Sequence, residues 1–297
     1  MMEDIGELLR RGFSVWKGNL ILCLPFLLST VISMLILLAF MMGIFLILMP
    51  QGALSSMAFE DAKNVTVMQG QMEELLKGLG ADQLALAVLF FIGIMLLILM
   101  VDAFFSAGAI GMARQALETG KADTSAMWSS GRRHFWNLFL ATLLTWLITL
   151  AGLIFLLPAL AISPDPLAAD AGVVGILAAG LLLFLLYALA VSIALIAMPY
   201  ALVTEDLGPF SALQSALKFF RYNKFDVAVL WLIAVALSAA LQMAGGAAGD
   251  GAGGQPLSLI ASLANLVVLA PLSCIWWTRL YMNRNGMLNV DEVKDPW

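Results

Sequence analysis

Residues 84–110 read LALAVLFFIGIMLLILMVDAFFSAGAI, an apolar run with a single charged side chain, Asp102. About 20 apolar residues are enough to cross the roughly 30 Å of hydrocarbon in a bilayer. The sequence therefore predicts an all-α integral membrane protein with six transmembrane helices in one membrane domain. The five further apolar runs lie at residues 20–49, 138–162, 173–203, 227–243 and 257–282.

The composition of the chain agrees with this prediction. Of its 297 residues, 62% are hydrophobic and 12% are charged, whereas soluble domains carry about 25% charged residues. A chain with so few polar residues is suited to lipid rather than to water. The formal net charge of −5 argues against nucleic acid as a partner, because phosphate binding needs a basic surface. Membrane lipids are the expected partners, and other membrane proteins are a second class.

The basic residues indicate how the chain is inserted. With six spans, both termini and the second and fourth loops share one side of the membrane. Thirteen of the 15 Lys and Arg residues fall on that side, and only Lys63 and Lys77 fall on the other. Because loops rich in Lys and Arg stay in the cytoplasm, we predict a cell-membrane protein with cytoplasmic N- and C-termini.

A similar segment precedes each odd-numbered span. The three segments read IGELLRRGFSVWKGN at residues 5–19, DTSAMWSSGRRHFWN at residues 123–137 and PFSALQSALKFFRYN at residues 209–223. Each is amphipathic, then aromatic and basic, and ends at an asparagine that is expected to break the helix. In the first segment the apolar residues recur at helical spacing, which predicts a helix lying in the membrane interface.

Each even-numbered span is followed by a segment that ends in glycine. These segments read MARQALETG up to Gly120, YALVTEDLG up to Gly208 and TRLYMNRNG up to Gly286. Glycine suits the left-handed conformation that closes many helices. The order of interfacial helix, span, outer loop, span and glycine occurs three times. This order predicts an internal repeat of three helical hairpins over residues 1–120, 121–208 and 209–297.

The basic residues of the three interfacial segments are candidate contacts for lipid headgroups. Long basic side chains at this depth can reach lipid phosphates while their stems stay in apolar surroundings. The alternative is that these charges only orient the chain in the membrane. The candidates are Arg10, Arg11, Lys17, Arg132, Arg133, His134, Lys218, Arg221 and Lys224.

Two segments carry a family resemblance: GAIGMARQALETGKADTSAMWSSGRRHFW at residues 108–136 and ALVTEDLGPFSALQSALKFFRYN at residues 201–223. They resemble the glycerophosphoryl diester phosphodiesterase membrane-domain family and related prokaryotic multi-pass membrane proteins of unassigned function. The resemblance implies a multi-helix membrane domain, which in that family is sometimes fused to a catalytic barrel that hydrolyses glycerophosphodiesters. No segment of this chain matches the barrel, so the resemblance carries over no catalytic residue.

Asp102 is the one ionisable residue well inside a predicted span. A carboxylate at that depth is unfavourable unless water, a partner or a proton meets it. Two interpretations stay open: a proton- or cation-linked site, or a structural carboxyl bonded to a neighbouring hydroxyl. The polar span residues that could be its neighbours are Thr145, Thr149, Tyr187, Ser192 and Asn265.

No group of residues predicts catalysis, a cofactor or a metal site. An enzyme would need acids or bases to converge, for instance Glu118, Glu205 and His134. The sequence therefore predicts a non-catalytic membrane protein that organises or binds lipid or partner proteins at the cytoplasmic membrane face. A small-solute or ion transporter or channel with a polar site around Asp102 is the alternative.

Overall fold

The structure is a computed structural model and describes residues 3–48, 80–162, 171–246 and 254–288. These residues form helices and short connections, and no strand occurs among them. Lys63, Lys77 and Lys294, and most of the predicted outer loops, lie outside the described residues. The helices are α1 (Ile5–Gly18), α2 (Leu24–Leu48), α3 (Ala81–Thr119), α4 (Thr124–Ala151), α5 (Leu157–Ile162), α6 (Ala171–Leu195), α7 (Met198–Glu205), α8 (Pro209–Gly246), α9 (Gly254–Ala264) and α10 (Ala270–Arg284).

Six helical stretches are long and apolar enough to span a membrane, which confirms the predicted all-α fold with six spans. Their large side chains are strongly exposed: Leu35 by 61%, Leu89 by 69% and Leu182 by 59%. Apolar surface in water is unfavourable by roughly 25 cal/mol per Å², so lipid is the surrounding that this surface suits. The six stretches are Leu20–Gly43, Ala85–Thr119, Thr124–Ala159, Gly172–Glu205, Pro209–Gly245 and Leu259–Arg284.

The chain divides into two compact units. The smaller unit, Ser29–Asp102, contains most of the first span and the beginning of the second. Inside it the rings of Phe40 and Phe90 stack with their centroids 5.5 Å apart. The larger unit consists of Met1–Leu28 and Ala103–Trp297. It includes all the helices from α4 onwards together with α1.

The larger unit has its most deeply buried helix in α10. Consecutive residues from Cys274 to Asn283 are buried, including the charged residue Arg279. A helix that is covered on all sides lies in the interior. α1, α7 and α8 contact this part of α10. The polar residues of α10 must therefore find partners on these neighbours, because a buried polar group without a hydrogen bond is unfavourable.

The helix ends differ from the predicted glycine pattern at one of three positions. Gly120 (φ 78°) and Gly286 (φ 69°) have left-handed backbones, as predicted. The prediction that Gly208 ends the helix after the fourth span was wrong, because α7 ends at Asp206 (φ 58°), two residues before that glycine. The Leu207 N–H then donates to the Leu202 carbonyl at 3.1 Å, as in a Schellman-type helix end.

The predicted breaks at asparagine also differ among the three segments. The backbone leaves the helical conformation at Asn19 (φ −138°, ψ 61°) and at Asn223 (φ −121°, ψ 31°). Both side chains donate to the carbonyl four residues earlier, Val15 and Phe219 respectively. At Asn137 the break is absent, since α4 continues through this position. The threefold repeat itself stays a prediction.

Candidate functional site

α1 packs against the buried part of α10. Leu8 has no exposed surface. Gly12 lies so close to Trp276 that a Cβ atom at this position would overlap the indole ring. The indole N–H of Trp276 donates to the Leu9 carbonyl at 3.2 Å. The apolar side of α1, which was predicted to lie in the membrane interface, is therefore in part a contact with α10.

A buried ion pair fixes the beginning of the chain to α10. The guanidinium of Arg279 donates to both carboxylate oxygens of Glu3 at 2.9 Å. The two side chains are 6% and 2% exposed. Arg11 lies 3.4 Å from the same carboxylate, and the backbone N–H of Glu3 donates to the Asn283 side chain at 3.3 Å. The charges are thus satisfied inside the protein, as a buried pair requires.

A second polar cluster joins α10 to α7 and α8. The Tyr281 hydroxyl donates to Oε1 of Glu205 at 2.6 Å, and the Ser215 hydroxyl lies 2.9 Å from it. Because the tyrosine proton goes to the carboxylate, Ser215 is the donor of the second bond. Arg284, with a 6% exposed side chain, pairs with Asp226 of α8 at 2.7 Å. These contacts hold the first half of α8 against α10.

The turn after α7 places a carboxylate against α4. The left-handed backbone of Asp206 is unfavourable for a non-glycine residue by roughly 1–2 kcal/mol. In this conformation its Oδ1 atom lies 3.0 Å from Nε2 of His134, and its Oδ2 atom pairs with the Arg133 guanidinium. Arg133, more than His134, holds the pKa of Asp206 below its usual value of 3.8. The turn is therefore fastened to α4 by charge.

His134 lies inside the protein although it was a candidate for lipid contact. It is 6% exposed. Its Nδ1 atom lies 3.1 Å from the Ser130 carbonyl, on the opposite side of the ring from Asp206. The Ser130 hydroxyl in turn donates to the Ala107 carbonyl at 2.9 Å. Both ring nitrogens thus face protein oxygens, and the ring is not part of an outer surface.

The first half of α8 has one buried side and one exposed side. Ala212, Ala216 and Phe219 are buried, and the Phe219 ring lies 4.9 Å from the ring of Tyr281. On the exposed side, large apolar side chains lie between basic ones. This basic–aromatic face consists of Phe210, Leu217, Lys218, Arg221, Tyr222, Lys224 and Phe225.

The cations of the basic–aromatic face have no acidic partner among the residues that the structure describes. Within the described ranges, Lys218, Arg221 and Lys224 form no ion pair with a carboxylate. The Lys224 ammonium lies over the Phe225 ring, 5.4 Å from its centroid. Phe225 and Tyr222 are each 76% exposed. Positive charge and ring surface are therefore presented together, directly before the apolar run of residues 227–243.

The remaining candidate cations fall into two groups. Arg10 and Arg11 donate to the Glu7 carboxylate at 2.8 Å and 2.7 Å, so part of their charge is balanced within α1. Lys17 and Arg132 are exposed, and neither forms an ion pair with another residue that the structure describes. Among the described residues, the structure thus separates cations paired with carboxylates from cations that form no ion pair.

Asp102 is exposed on α3 and makes no hydrogen bond or ion pair with any described residue. Its role in a transport site stays a prediction. Four of the five polar span residues proposed as neighbours bond to backbone carbonyls instead: Thr145 to Ala141, Thr149 to Thr145, Tyr187 to Ile148 and Ser192 to Leu189.

Three contributors to these sites were missed from the sequence. Glu3 and Asp206 have partners 276 and 72 positions away, and no local pattern indicates such pairs. Phe225 lies between the predicted interfacial segment at residues 209–223 and the predicted span at residues 227–243.

The ion pairs of Glu7, by contrast, have a signal in the sequence. Glu7 precedes Arg10 and Arg11 by three and four residues, which is the spacing at which helical ion pairs form.

Comparisons with known proteins place the chain among proteins of unassigned function. A family model described as Domain of unknown function (DUF7847) matches residues 36–275. An uncharacterized protein of Archaeoglobus fulgidus is 26% identical over 305 aligned residues, covering 97% of this chain and 98% of the relative. No solved structure matches. These findings do not show the predicted kinship with glycerophosphoryl diester phosphodiesterases.

Proposed function

Because this chain belongs to the family described as Domain of unknown function (DUF7847), we propose its role from the geometry of its own residues. The protein is a non-catalytic multi-pass membrane protein that binds anionic lipid headgroups at the cytoplasmic membrane face. The basic–aromatic face of α8 is the main contact. Lipid phosphate is its ligand.

The observation that carries this proposal is the separation of charges on α8. Asp226 is used internally by Arg284, at 2.7 Å. Lys218, Arg221 and Lys224 are exposed and are not paired with any carboxylate of the described chain. An unbalanced group of cations attracts anions, and a basic residue near an anionic lipid surface contributes about 1 kcal/mol.

The position of the face on the chain favours lipid over a dissolved anion. α8 continues from this face through the apolar run of residues 227–243, with a change of direction at Asn223. A basic and aromatic segment next to such a run is typical of the zone where a membrane meets water. Exposed rings such as Phe225 and Tyr222 suit this zone, because their apolar bodies enter the acyl boundary while polar groups stay hydrated.

The side of the membrane follows from the distribution of basic residues. The cations of α8 belong to the same set of loops as Arg132 and Lys17, which the positive-inside rule assigns to the cytoplasm. The inner leaflet carries anionic lipid and a negative surface potential. The proposed face and its proposed ligand are therefore on the same side.

A non-catalytic role is supported by the engagement of the acid and base groups. Glu118 pairs with Arg114 at 2.7 Å, Glu205 accepts from Tyr281, and His134 bonds to Asp206. Each group is held by a different partner. Acid–base catalysis needs at least two such groups directed at one substrate position.

Lipid selectivity in reconstituted bilayers tests the proposal. Spin-labelled phosphatidylglycerol and phosphatidylcholine report which lipid is enriched at the protein surface. We expect the wild-type protein to prefer phosphatidylglycerol and to lose this preference as salt is raised. Neutralising the face with Lys218→Gln, Arg221→Gln and Lys224→Gln is expected to reduce the preference several-fold.

A charge-conserving variant is the matched control. Lys218→Arg with Lys224→Arg keeps the charge at the same positions and is expected to keep the preference. Thermal unfolding midpoints establish that both variants are folded. An unchanged preference in the neutralised variant contradicts the proposal, and enrichment of a co-purifying protein that this variant loses assigns the face to a protein partner instead.

A further inference from the structure

A second exposed surface lies on α4, and none of its residues belongs to the face on α8. Trp128, Arg132, Trp136 and Leu140 follow one another at intervals of four residues, so they share one side of the helix. The three apolar members are 46%, 61% and 46% exposed in chain order, and Arg132 is exposed as well. We name these four residues the α4 stripe.

The opposite side of α4 faces the protein interior. Met127, Gly131, His134 and Leu138 are buried. Gly131 lies against Phe104, where a Cβ atom would come within 3.1 Å of the ring and the backbone oxygen. The helix cannot rotate without losing these contacts. The α4 stripe is therefore held outward by packing and is not a consequence of a loose helix.

The α4 stripe presents hydrogen-bond donors without acceptors. In the part of the chain that is described, the guanidinium of Arg132 forms no ion pair, and the indole N–H groups of Trp128 and Trp136 form no hydrogen bond. The indoles of Trp16 and Trp276, by contrast, donate to backbone carbonyls at 3.3 Å and 3.2 Å. A buried indole N–H usually finds a partner, whereas those of Trp128 and Trp136 lie on exposed side chains and are available to an oxygen-rich ligand.

The neighbouring residue Arg133 differs from Arg132 in having an acidic partner among the described residues. Arg133 is next in the chain, but its guanidinium pairs with Asp206 in the turn after α7. Two adjacent arginines thus have different functions: one fastens the protein, and the other stays available. A charge that only oriented the chain in the membrane would need no indole on either side of it.

The order of chemistry along the stripe matches that of a phospholipid. At 1.5 Å per residue, successive members are about 6 Å apart along the axis. From the N-terminus of α4 inward, the stripe runs from an indole to a guanidinium, a second indole and an aliphatic side chain. A phospholipid runs from headgroup to phosphodiester, glycerol backbone and acyl chain in the same order.

We infer that the α4 stripe binds one anionic phospholipid molecule, with its phosphodiester on Arg132. The guanidinium donates two parallel hydrogen bonds to the phosphate oxygens, an arrangement that suits arginine better than lysine. Trp128 and Trp136 border the headgroup and the glycerol backbone, and Leu140 contacts the acyl chain. This inference rests on the proposed function in one respect: both need anionic lipid at this membrane face.

Counting the lipid molecules that remain bound tests the inference. The protein is delipidated in a neutral detergent and titrated with phosphatidylglycerol, and native mass spectrometry measures the occupancy of the first lipid. We expect Arg132→Gln to weaken this first binding by about tenfold or more, as for a lost hydrogen bond to a charged group. Arg132→Lys keeps the charge without the fork and is expected to weaken binding by several-fold.

Lys121→Gln is the matched control. Lys121 is exposed, lies in the connection before α4 and is outside the stripe. The Lys121→Gln variant removes one positive charge, as Arg132→Gln does, and is expected to leave the binding of the first lipid unchanged. Trp136→Phe removes one indole N–H but keeps a ring, and it is expected to weaken binding less than Arg132→Gln.

The outcomes separate this inference from the proposed function. If Arg132→Gln binds the first lipid as the wild type does, while the neutralised α8 variant loses its lipid preference, the inference is overturned and the proposed function stands. If Arg132→Lys retains full affinity, the site is a diffuse charge and the inference is again overturned. Competition by inorganic phosphate as effective as that by lipid would identify a soluble anion as the ligand. If neither variant changes lipid binding, both proposals are wrong.

Discussion

The Nε2 atom of His134 lies 3.0 Å from the Oδ1 atom of Asp206, 72 residues further along the chain. Asp206 is also the one described non-glycine residue with a left-handed backbone. The unfavourable backbone and the contact belong together, because this conformation turns the carboxylate toward α4. Aspartate is one of the few non-glycine residues that adopt this conformation, so the turn and its contact with α4 are compatible.

Asp206→Asn tests the carboxylate without disturbing the backbone, since asparagine also tolerates the left-handed conformation. We expect a lower thermal unfolding midpoint in detergent, because Arg133 and His134 lose a charged acceptor. Asp206→Gly frees the backbone but loses the same contacts, and it separates the two effects. A wild-type midpoint in the asparagine variant would mean that the carboxylate does not stabilise the turn.

Acid is expected to weaken α1 through Glu7. Hydrogen bonds from Arg10 and Arg11 lower the pKa of Glu7 from 4.5 to about 2. A lowered pKa in the folded protein gives a stabilisation that is complete above the unfolded value and is lost as pH falls from about 4.5 towards about 2. The difference in unfolding midpoint between wild type and Glu7→Gln should shrink over this range. A difference that is independent of pH would contradict the role of the carboxylate.

Gly12→Ala is expected to loosen α1 from α10, because the added methyl group overlaps the Trp276 ring. Overpacking of this kind destabilises by about 1–3 kcal/mol. Hydrogen exchange of residues 5–18 measures the loosening directly. Gly18→Ala is the matched control: no atom lies within 4 Å of its added Cβ, and exchange should stay unchanged or slow down. Equal exchange in both variants would argue against close packing at Gly12.

The buried pair of Glu3 and Arg279 predicts a strongly non-additive result. Glu3→Leu leaves a buried guanidinium without its carboxylate, which is expected to destabilise by about 3–5 kcal/mol. Combining it with Arg279→Met removes the orphaned charge and should restore much of the stability. Chemical unfolding in detergent of the single and double variants measures the coupling. A double variant less stable than the single one would show that the pair is not the main link.

Asp102→Asn separates lipid binding from transport. Asp102 lies on α3 and belongs to neither of the two proposed lipid-binding surfaces, so we expect unchanged phosphatidylglycerol preference in this variant. Solute- or proton-dependent flux in liposomes is the second measurement. Flux by the wild-type protein that is abolished in Asp102→Asn would favour the transporter interpretation over the proposed function.

The spans could be predicted from the sequence because hydrophobicity is summed along the chain and needs no knowledge of neighbours. The same applies to the breaks at Asn19 and Asn223, where the side chain competes with helical hydrogen bonding. At Asn137 the helix continues, and the buried residues His134 and Leu138 precede and follow this position in α4. Tertiary contacts decided that case, and composition alone does not encode them.

The sequence identifies the basic residues of the interfacial segments, but it does not tell which of them pair with a carboxylate inside the protein. Arg132 and Arg133 are adjacent and chemically identical, yet among the described residues only Arg133 pairs with a carboxylate. That difference depends on where the α7 turn lies, which is a property of the folded chain. The cations of α8 are exposed, whereas their place in the membrane interface stays a prediction and their contact with lipid a proposal.

The ion pair between Glu3 and Arg279 also determines when α1 can dock during synthesis of the chain. Glu3 is synthesised 276 positions before its partner Arg279. Until α10 has been made, α1 therefore lacks the helix against which Gly12 packs. A chain that stalls before the sixth span would display an undocked amphipathic helix, which membrane proteases could recognise as a mark of incomplete assembly.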